Sequence, residues 1–77
     1  MIKILLFAHL QDEAGTPAIE IDKRGLTVHD LKQWLQDNHG LQGLSGVMTA
    51  VNESFANEDN VIKDGDTVAF IPPVSGG

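Results

Sequence analysis

The chain has 77 residues, 42% hydrophobic and 21% charged, and its 11 acidic and 5 basic side chains give a net charge of −6. This length provides one small core and no deep enclosed active site, so an enzyme that acts alone is a poor first hypothesis. The lack of cysteine excludes disulfides and thiolate chemistry and favours the cytoplasm, while the acidity disfavours nucleic acid and anionic membranes and suits a basic protein partner or simple solubility.

The first predicted element is a strand from Ile2 to Leu10. Both alternating sets of its side chains are largely apolar, which is typical of a strand at the centre of a sheet. The run is too short to span a bilayer and has no small-residue cleavage site, so we expect it to belong to the fold. A loop, QDEAGT, is predicted next, and then AIEI as a half-exposed strand that forms a hairpin with the first.

The clearest helix is predicted over roughly residues 28 to 39. Thr27 is a suitable N-cap, Asp30 stands three residues later near the positive end of the helix dipole, and Gly40 offers a C-terminal stop. Four side chains form the apolar face of this helix, with the last at its rim: Val28, Leu31, Leu35 and Trp34.

The second half of the chain is predicted to supply the remaining strands. VMTAVN is a short apolar strand, Ser54 to Phe55 a shorter one, and Val61-Ile62 an extended or helical turn within the least regular stretch. Asp64-Gly65-Asp66 is a turn signal that satisfies its own backbone and needs no catalytic or metal role. TVAFI is the final strand, rich in β-branched and aromatic residues.

This order of elements predicts an α+β fold over residues 1–71, a ubiquitin-like β-grasp with a mixed sheet of four to five strands. The one main helix is the right-handed crossover and packs on one face of the sheet. If the first and last strands lie side by side at the centre, Val68 and Phe70 join Ile4 and Leu6 beneath the helix.

The same alternation predicts an apolar patch on the other face of the sheet. Four side chains then point away from the helix: Leu5, Phe7, Ala69 and Ile71. Single exposed apolar residues are normal on soluble proteins. Two adjacent central strands that both present apolar side chains on this face favour a protein interface instead.

Residues 72–77, PPVSGG, are predicted to be an extended tail. Pro72 and Pro73 offer no backbone N–H to a sheet and fix an extended backbone, so the chain leaves the domain as a stiff stem. At about 3.3 Å per residue, the tail projects roughly 20 Å. Gly76 and Gly77 lack Cβ atoms and can pass through a channel too narrow for a side chain. This shape suits insertion into the active site of another protein.

The chemistry available at the tip is that of the Gly77 carboxylate. A carboxylate is a weak electrophile, but ATP converts it to an acyl-adenylate that a nucleophile can attack. If the nucleophile delivers sulfur, the product is a C-terminal thiocarboxylate, which is a transferable sulfur nucleophile made without cysteine. An isolated Gly-Gly end would favour a flexible tail or a fragment boundary. A Gly-Gly end that follows Pro-Pro and a central strand is a far more specific signal of a functional tail than the dipeptide alone.

These features together resemble a known family, the small sulfur-carrying subunits of molybdopterin synthase within the ubiquitin-like sulfur carriers (the MoaD/ThiS family). The resemblance covers essentially the whole chain and rests on four stretches: MIKILLFAHLQDEAGT, TVHDLKQWL, AVNE and, most specifically, DGDTVAFIPPVSGG.

The resemblance implies a carrier without a catalytic pocket of its own. An E1-like adenylyltransferase would adenylate Gly77 with ATP, a sulfur donor protein would supply sulfur, and no cofactor would be bound. The tail would then enter the large synthase subunit, in a heterotetramer of two large and two small subunits, and pass sulfur to a pterin precursor to form the molybdopterin dithiolene. Beyond Gly77 and Gly76, the implied contacts with the partner are Phe7, Ile71, Pro72, Pro73, Val74 and Ser75.

Three other functions fit parts of the pattern. A thiamine-pathway sulfur carrier has the same fold and Gly-Gly end and feeds thiazole synthesis. A ubiquitin-like interaction module with an inert tail would tolerate the loss of Gly76 and Gly77. A protein modifier that forms isopeptide bonds would use the same activated intermediate.

The histidines raise the question of a metal, because imidazole is a common ligand. His9, His29 and His39 are far apart in the sequence, and His29 and His39 fall at opposite ends of the predicted helix. We therefore expect solvated surface histidines and no metal site.

Overall fold

The computed structural model describes residues 1–44 and 46–72. These residues form seven strands and two helices, in the order β1 Ile2–Leu6, α1 His9–Ala14, β2 Ala18–Ile21, β3 Leu26–Thr27, α2 Val28–His39, β4 Met48–Val51, β5 Ser54–Ala56, β6 Val61–Ile62 and β7 Thr67–Ile71.

Five of the strands form one mixed sheet in the order β2-β1-β7-β4-β5. The central strands β1 and β7 are parallel, and the other neighbours are antiparallel. The predicted α+β architecture, with the first and last strands at the centre, is therefore confirmed. The sheet ends at Ile71, as the two prolines that follow predict.

Helix α2 lies over one face of this sheet. Thr27 caps it as predicted, since its Oγ1 accepts a hydrogen bond of 3.1 Å from the backbone N–H of Asp30. Gly40 ends it with a φ of 65°, a left-handed conformation that is costly for a residue with a Cβ. Its buried side chains share one core with the inward side chains of the central strands: Val28, Leu31 and Leu35 with Ile4, Leu6, Val68 and Phe70.

The predicted first strand is too long. It ends at Leu6, because Ala8 takes φ 53° and ψ −131° and turns the chain out of the extended direction. Helix α1 follows, so the prediction of a loop at QDEAGT is wrong for residues 11–14, whereas Gly15 and Thr16 lie outside the helix. Leu10 is fully buried and Ala14 packs against the core. These two residues are four apart, which is the spacing of one helix face.

A small second sheet was not predicted. Leu26 and Thr27 of β3 pair with Ile62 and Val61 of β6. Val61-Ile62 is thus extended, which was one of the two options left open. The loop before β6 also covers the first turn of α2, because the backbone N–H groups of Val28 and His29 donate to carbonyls of Asn60 and Glu58.

Candidate functional site

The face of the sheet that is not covered by α2 carries an apolar row across all five strands. Strand register aligns one residue from each strand in this row: Ala18, Leu5, Ala69, Ala50 and Phe55. The prediction that Leu5 and Ala69 point away from the helix is confirmed, because their neighbours along each strand are buried in the core. Water therefore meets an apolar surface at the centre of the sheet.

A cleft of about 280 Å³ lies in this face, which we call the outward cleft. Its apolar lining consists of six side chains: Leu5, Phe7, Ala50, Phe55, Ala69 and Ile71. Asn52, Glu53 and Thr67 line it as well and supply its polar groups. Phe7 and Ile71, predicted as partner contacts, are 44% and 37% exposed and line this one cleft together.

Two exposed apolar residues of this face were missed from sequence. Phe55 is 75% exposed and stands opposite Ala50, and Met48 is 48% exposed and stands opposite Ile71. The strand containing Phe55 was predicted, but the face it presents depends on its pairing with β4. The short connection between VMTAVN and Ser54 was the sequence signal that could have predicted the register of this pairing, because a two-residue turn fixes which residues face each other.

The chain leaves the sheet beside the outward cleft, because Ile71 is both part of the lining and the last residue of β7. Pro72 is buried against the domain. The other predicted tail residues lie outside the described residues: Pro73, Val74, Ser75, Gly76 and Gly77. Their predicted roles, and the partner contact of Pro72, stay predictions.

The turn before β7 holds its acidic residues in structural positions. The backbone N–H of Lys63 and the side-chain amide of Asn52 donate to Asp66 and lower the pKa of its carboxyl. The N-terminal amino group of Met1 pairs with Asp64 and lowers the pKa of that carboxyl. Asp66 thus accepts a backbone N–H within the turn, whereas Asp64 ties the turn to the N-terminus.

The three histidines lie at separate places on the surface. His9 Nε2 is 4.0 Å from Glu13 Oε2, and His29 Nδ1 is 4.0 Å from Glu58 Oε1. The ring of His39 packs against Trp34 with ring centroids 5.3 Å apart. Over residues 1–44 and 46–72, no group of three or more histidines and carboxylates converges to hold a metal ion.

Neither of the two helices in the described part of the chain has the length and apolar character needed to cross a membrane.

Sequence comparisons match this chain to a family model and to named relatives. A model of the ThiS family matches residues 4–77. The molybdopterin synthase sulfur carrier subunit of Escherichia coli is 40% identical over 81 aligned positions that cover 100% of both chains. The subunit of the same name from Haemophilus influenzae is 27% identical, again over 100% of both chains.

Solved structures share the fold. SAMP1 from Haloferax volcanii matches with a TM-score of 0.83 and 26% identity over 99% of this chain and 98% of that one. A molybdopterin converting factor subunit 1 from Pyrococcus furiosus matches with a TM-score of 0.80 and 31% identity, over 95% of this chain and 97% of that one. A chain in the complex of subunits 1 and 2 of the molybdopterin-converting factor from Helicobacter pylori matches with a TM-score of 0.70 and 26% identity. The match covers 99% of this chain and 97% of that one. The predicted ubiquitin-like β-grasp is confirmed by these neighbours.

Proposed function

The chain belongs to the ThiS family, and from this premise we propose that it is the sulfur carrier subunit of a molybdopterin synthase. The observation that carries the proposal is the 40% identity with the Escherichia coli sulfur carrier subunit over the full length of both chains. The family match runs through Gly77, so it includes the Gly-Gly end on which the chemistry depends.

We propose that Gly77 is the residue that carries sulfur. Its carboxylate oxygen attacks the α-phosphorus of ATP in the active site of an E1-like adenylyltransferase, and pyrophosphate leaves. A persulfide sulfur of a donor protein then attacks the acyl carbon and AMP leaves, which gives an acyl disulfide. A thiol of the donor or the activating enzyme cleaves the S–S bond of this disulfide, forms a disulfide with the donor sulfur and releases the thiocarboxylate. Gly76 and Gly77 present no Cβ to the walls of the channel through which they must pass.

The partner that accepts the sulfur is, in this proposal, the large subunit of the synthase. The Helicobacter pylori neighbour is a chain of a complex between subunits 1 and 2, which supports a partner of this kind. The outward cleft adjoins the point where the chain leaves β7, so a partner that binds the tail also reaches Phe7 and Ile71. A heterotetramer of two large and two small subunits is the proposed assembly, and the cytoplasm is the expected compartment because the chain has no cysteine.

A second candidate function is protein modification through an isopeptide bond. The observation that favours it is the fold shared with the Haloferax volcanii chain, one of the matched neighbours being named small archaeal modifier protein 1. It requires the same adenylate of Gly77 but ends with a lysine amine, not sulfur, on the acyl carbon. The thiamine-pathway carrier remains a third candidate because the family model is that of ThiS.

Affinity purification from the native organism separates these candidates. With an affinity tag placed at the N-terminus, we expect the large synthase subunit to co-purify at a stoichiometric level. Recovery of a thiazole synthase instead would assign the chain to the thiamine pathway. Recovery of the chain in covalent conjugates, absent when Gly76 and Gly77 are deleted, would assign it to protein modification.

A further inference from the structure

We propose that a cavity beside α2 receives an arginine side chain from a basic segment of another protein. This cavity, which we call the flank cavity, has a volume of about 440 Å³, and its lining includes Lys32 of α2, Val47, Thr49 of β4, Ala56 of β5 and Glu58. The proposal goes beyond the proposed function, because it rests on the flank cavity alone and holds whichever partner takes the tail.

The flank cavity lies on the helix side of the sheet. Thr49 and Ala56 are paired across β4 and β5, and their strand neighbours Ala50 and Phe55 line the outward cleft on the other face. Successive side chains of a strand alternate between the two faces, so Thr49 and Ala56 face α2. Phe55 lines both cavities, because β5 is the edge strand around which they meet. An arginine seated against Thr49 therefore leaves the outward cleft open.

Glu58 supplies a carboxylate with one oxygen to spare. Its Oε2 lies 3.0 Å from Lys32 Nζ, and this ion pair holds the side chain in place. Its Oε1 lies 4.0 Å from His29 Nδ1, which is too long for a hydrogen bond. The Glu58 side chain is 53% exposed, whereas that of Lys32 is 13% exposed. The Oε1 atom is therefore open to an N–H donor that arrives from solvent.

Thr49 supplies an acceptor that no described residue uses. It is 4% exposed, and its Oγ1 has no hydrogen-bond partner among the described residues. Buried polar groups are nearly always hydrogen-bonded, so an unpaired hydroxyl on a residue that lines a cavity indicates that a donor enters there. Val47 and Ala56 add an apolar part to the same lining, which suits the aliphatic stem of a long basic side chain.

Arginine fits this combination better than other side chains. Its guanidinium carries five N–H donors and no acceptor, so one group can donate to a carboxylate and to a hydroxyl. An acidic side chain would meet Glu58 and the exposed Asp59 that follows it. The whole chain has a net charge of −6, so a second copy is repelled and a basic segment is attracted.

The residues on either side of the arginine have room beside α2. A second cavity of about 290 Å³ shares Lys32, Gly46 and Glu58 with the flank cavity and is also lined by Gln33 and Gln36. The two cavities thus lie on the two sides of the ion pair. Glutamine amides both donate and accept hydrogen bonds, which suits the backbone of an extended segment.

The test uses hexaarginine, acetylated and amidated at its ends, as the basic segment. Its binding to the full-length chain at low ionic strength is followed by NMR. We expect the largest shifts at the backbone amides of Thr49, Asn57 and Glu58, and we expect hexalysine to bind about threefold more weakly. Shifts centred on another part of the chain, equal affinities for the two peptides, or tighter binding of hexaglutamate would overturn the proposal.

Two variants that break the same ion pair should have opposite effects. Glu58→Gln removes the carboxylate and should weaken hexaarginine binding about threefold, whereas Lys32→Gln removes the competing cation and should strengthen it about twofold. Glu20→Gln in β2 removes the same charge outside the flank cavity and should change the affinity less than about 1.5-fold. If the ion pair matters only for the structure, the first two variants change the affinity in the same direction. That result, or equal effects of Glu58→Gln and Glu20→Gln, would overturn the proposal.

Thr49→Val separates binding from folding. Valine keeps the shape of threonine and removes the buried hydroxyl, so we expect about twofold weaker binding of hexaarginine without a loss of stability. Unchanged affinity would overturn the role of Thr49. Self-association that Glu58→Gln abolishes, without binding of hexaarginine, would assign the flank cavity to a second copy and overturn the proposal. None of these measurements involves the large synthase subunit, so their failure leaves the proposed function standing.

Discussion

The side-chain amide of Asn52 donates a hydrogen bond of 2.9 Å to Asp66 Oδ1. Asn52 Oδ1 in turn accepts the backbone N–H of Thr67 at 3.0 Å, and Asp66 Oδ2 accepts the backbone N–H of Lys63 at 2.8 Å. These bonds connect the β4–β5 turn to the start of β7, at the end of the sheet opposite to the tail. The strand that holds the tail is therefore fixed in register at its far end.

Asp66→Asn tests this connection through its pH dependence. The Lys63 backbone N–H, followed by the Asn52 amide, lowers the pKa of Asp66 below its ordinary value of 3.8. A carboxyl with a lowered pKa in the folded state stabilises the fold fully above its unfolded pKa, and the contribution is lost as the pH falls through the folded pKa. We expect the wild-type protein to be more stable than Asp66→Asn near neutral pH, and the difference to shrink below pH 3.8.

Urea unfolding over a series of pH values measures this difference. Asp37→Asn, at an exposed position of α2, is the control. A stability difference between wild type and Asp66→Asn that stays constant down to acid pH would show that the ionised carboxylate is not what stabilises the turn.

Ala8→Gly is expected to stabilise the protein. Ala8 has φ 53° and ψ −131°, a region that glycine adopts freely and that costs other residues about 1–3 kcal/mol. Glycine also gains about 0.5–1 kcal/mol of backbone freedom in the unfolded state, which offsets part of the relief. We expect a net increase of about 1 kcal/mol in the free energy of unfolding, whereas Ala56→Gly in β5 should be destabilising. A loss of stability in Ala8→Gly would contradict the inference that the backbone is strained at Ala8.

Thr49→Val is expected to stabilise the protein as well. Thr49 is only 4% exposed, and its Oγ1 has no hydrogen-bond partner among the described residues. Valine keeps the shape and removes a buried polar atom that costs about 1–3 kcal/mol when unsatisfied. The control is Thr27→Val, in which the same change removes the cap of α2 and should cost about 1 kcal/mol. Chemical denaturation measures the free energy of unfolding of both variants. We expect it to rise in Thr49→Val and to fall in Thr27→Val.

The parts of the fold that the sequence predicted are those set by local signals. Thr27 and Gly40 mark the two ends of α2 by cap chemistry, and the apolar alternation of β1 and β7 indicates central strands. Helix α1 was missed because Leu10 fits the alternation of a strand as well as the spacing of a helix. The turn at Ala8 that decides between them has no signature in the sequence, since alanine rarely adopts that conformation.

The candidate site was predicted in part for the same reason. Ile71 belongs to β7 and Phe7 directly follows β1, and the facing of both follows from the alternation along these strands. Phe55 joins the site through its pairing with Ala50, and the pairing of β3 with β6 joins residues far apart in the chain. Such non-local pairings depend on tertiary packing, which no short window of sequence contains.

The central claim is that Gly77 carries sulfur. Removing Gly76 and Gly77 should leave the fold unchanged, because the described core ends before them, and should abolish support of molybdenum cofactor assembly in cells. Thermal unfolding provides the control that the truncated protein is folded. A truncated protein that is folded and still supports assembly would refute the role of the tail.

The most direct measurement is the intact mass of the protein before and after incubation with its activating enzyme, ATP and a sulfur source. We predict the mass increase of one oxygen exchanged for sulfur, located by fragmentation at Gly77 and absent without ATP. An unchanged mass under conditions in which the activating enzyme consumes ATP, or a sulfur located at any other residue, would contradict the account.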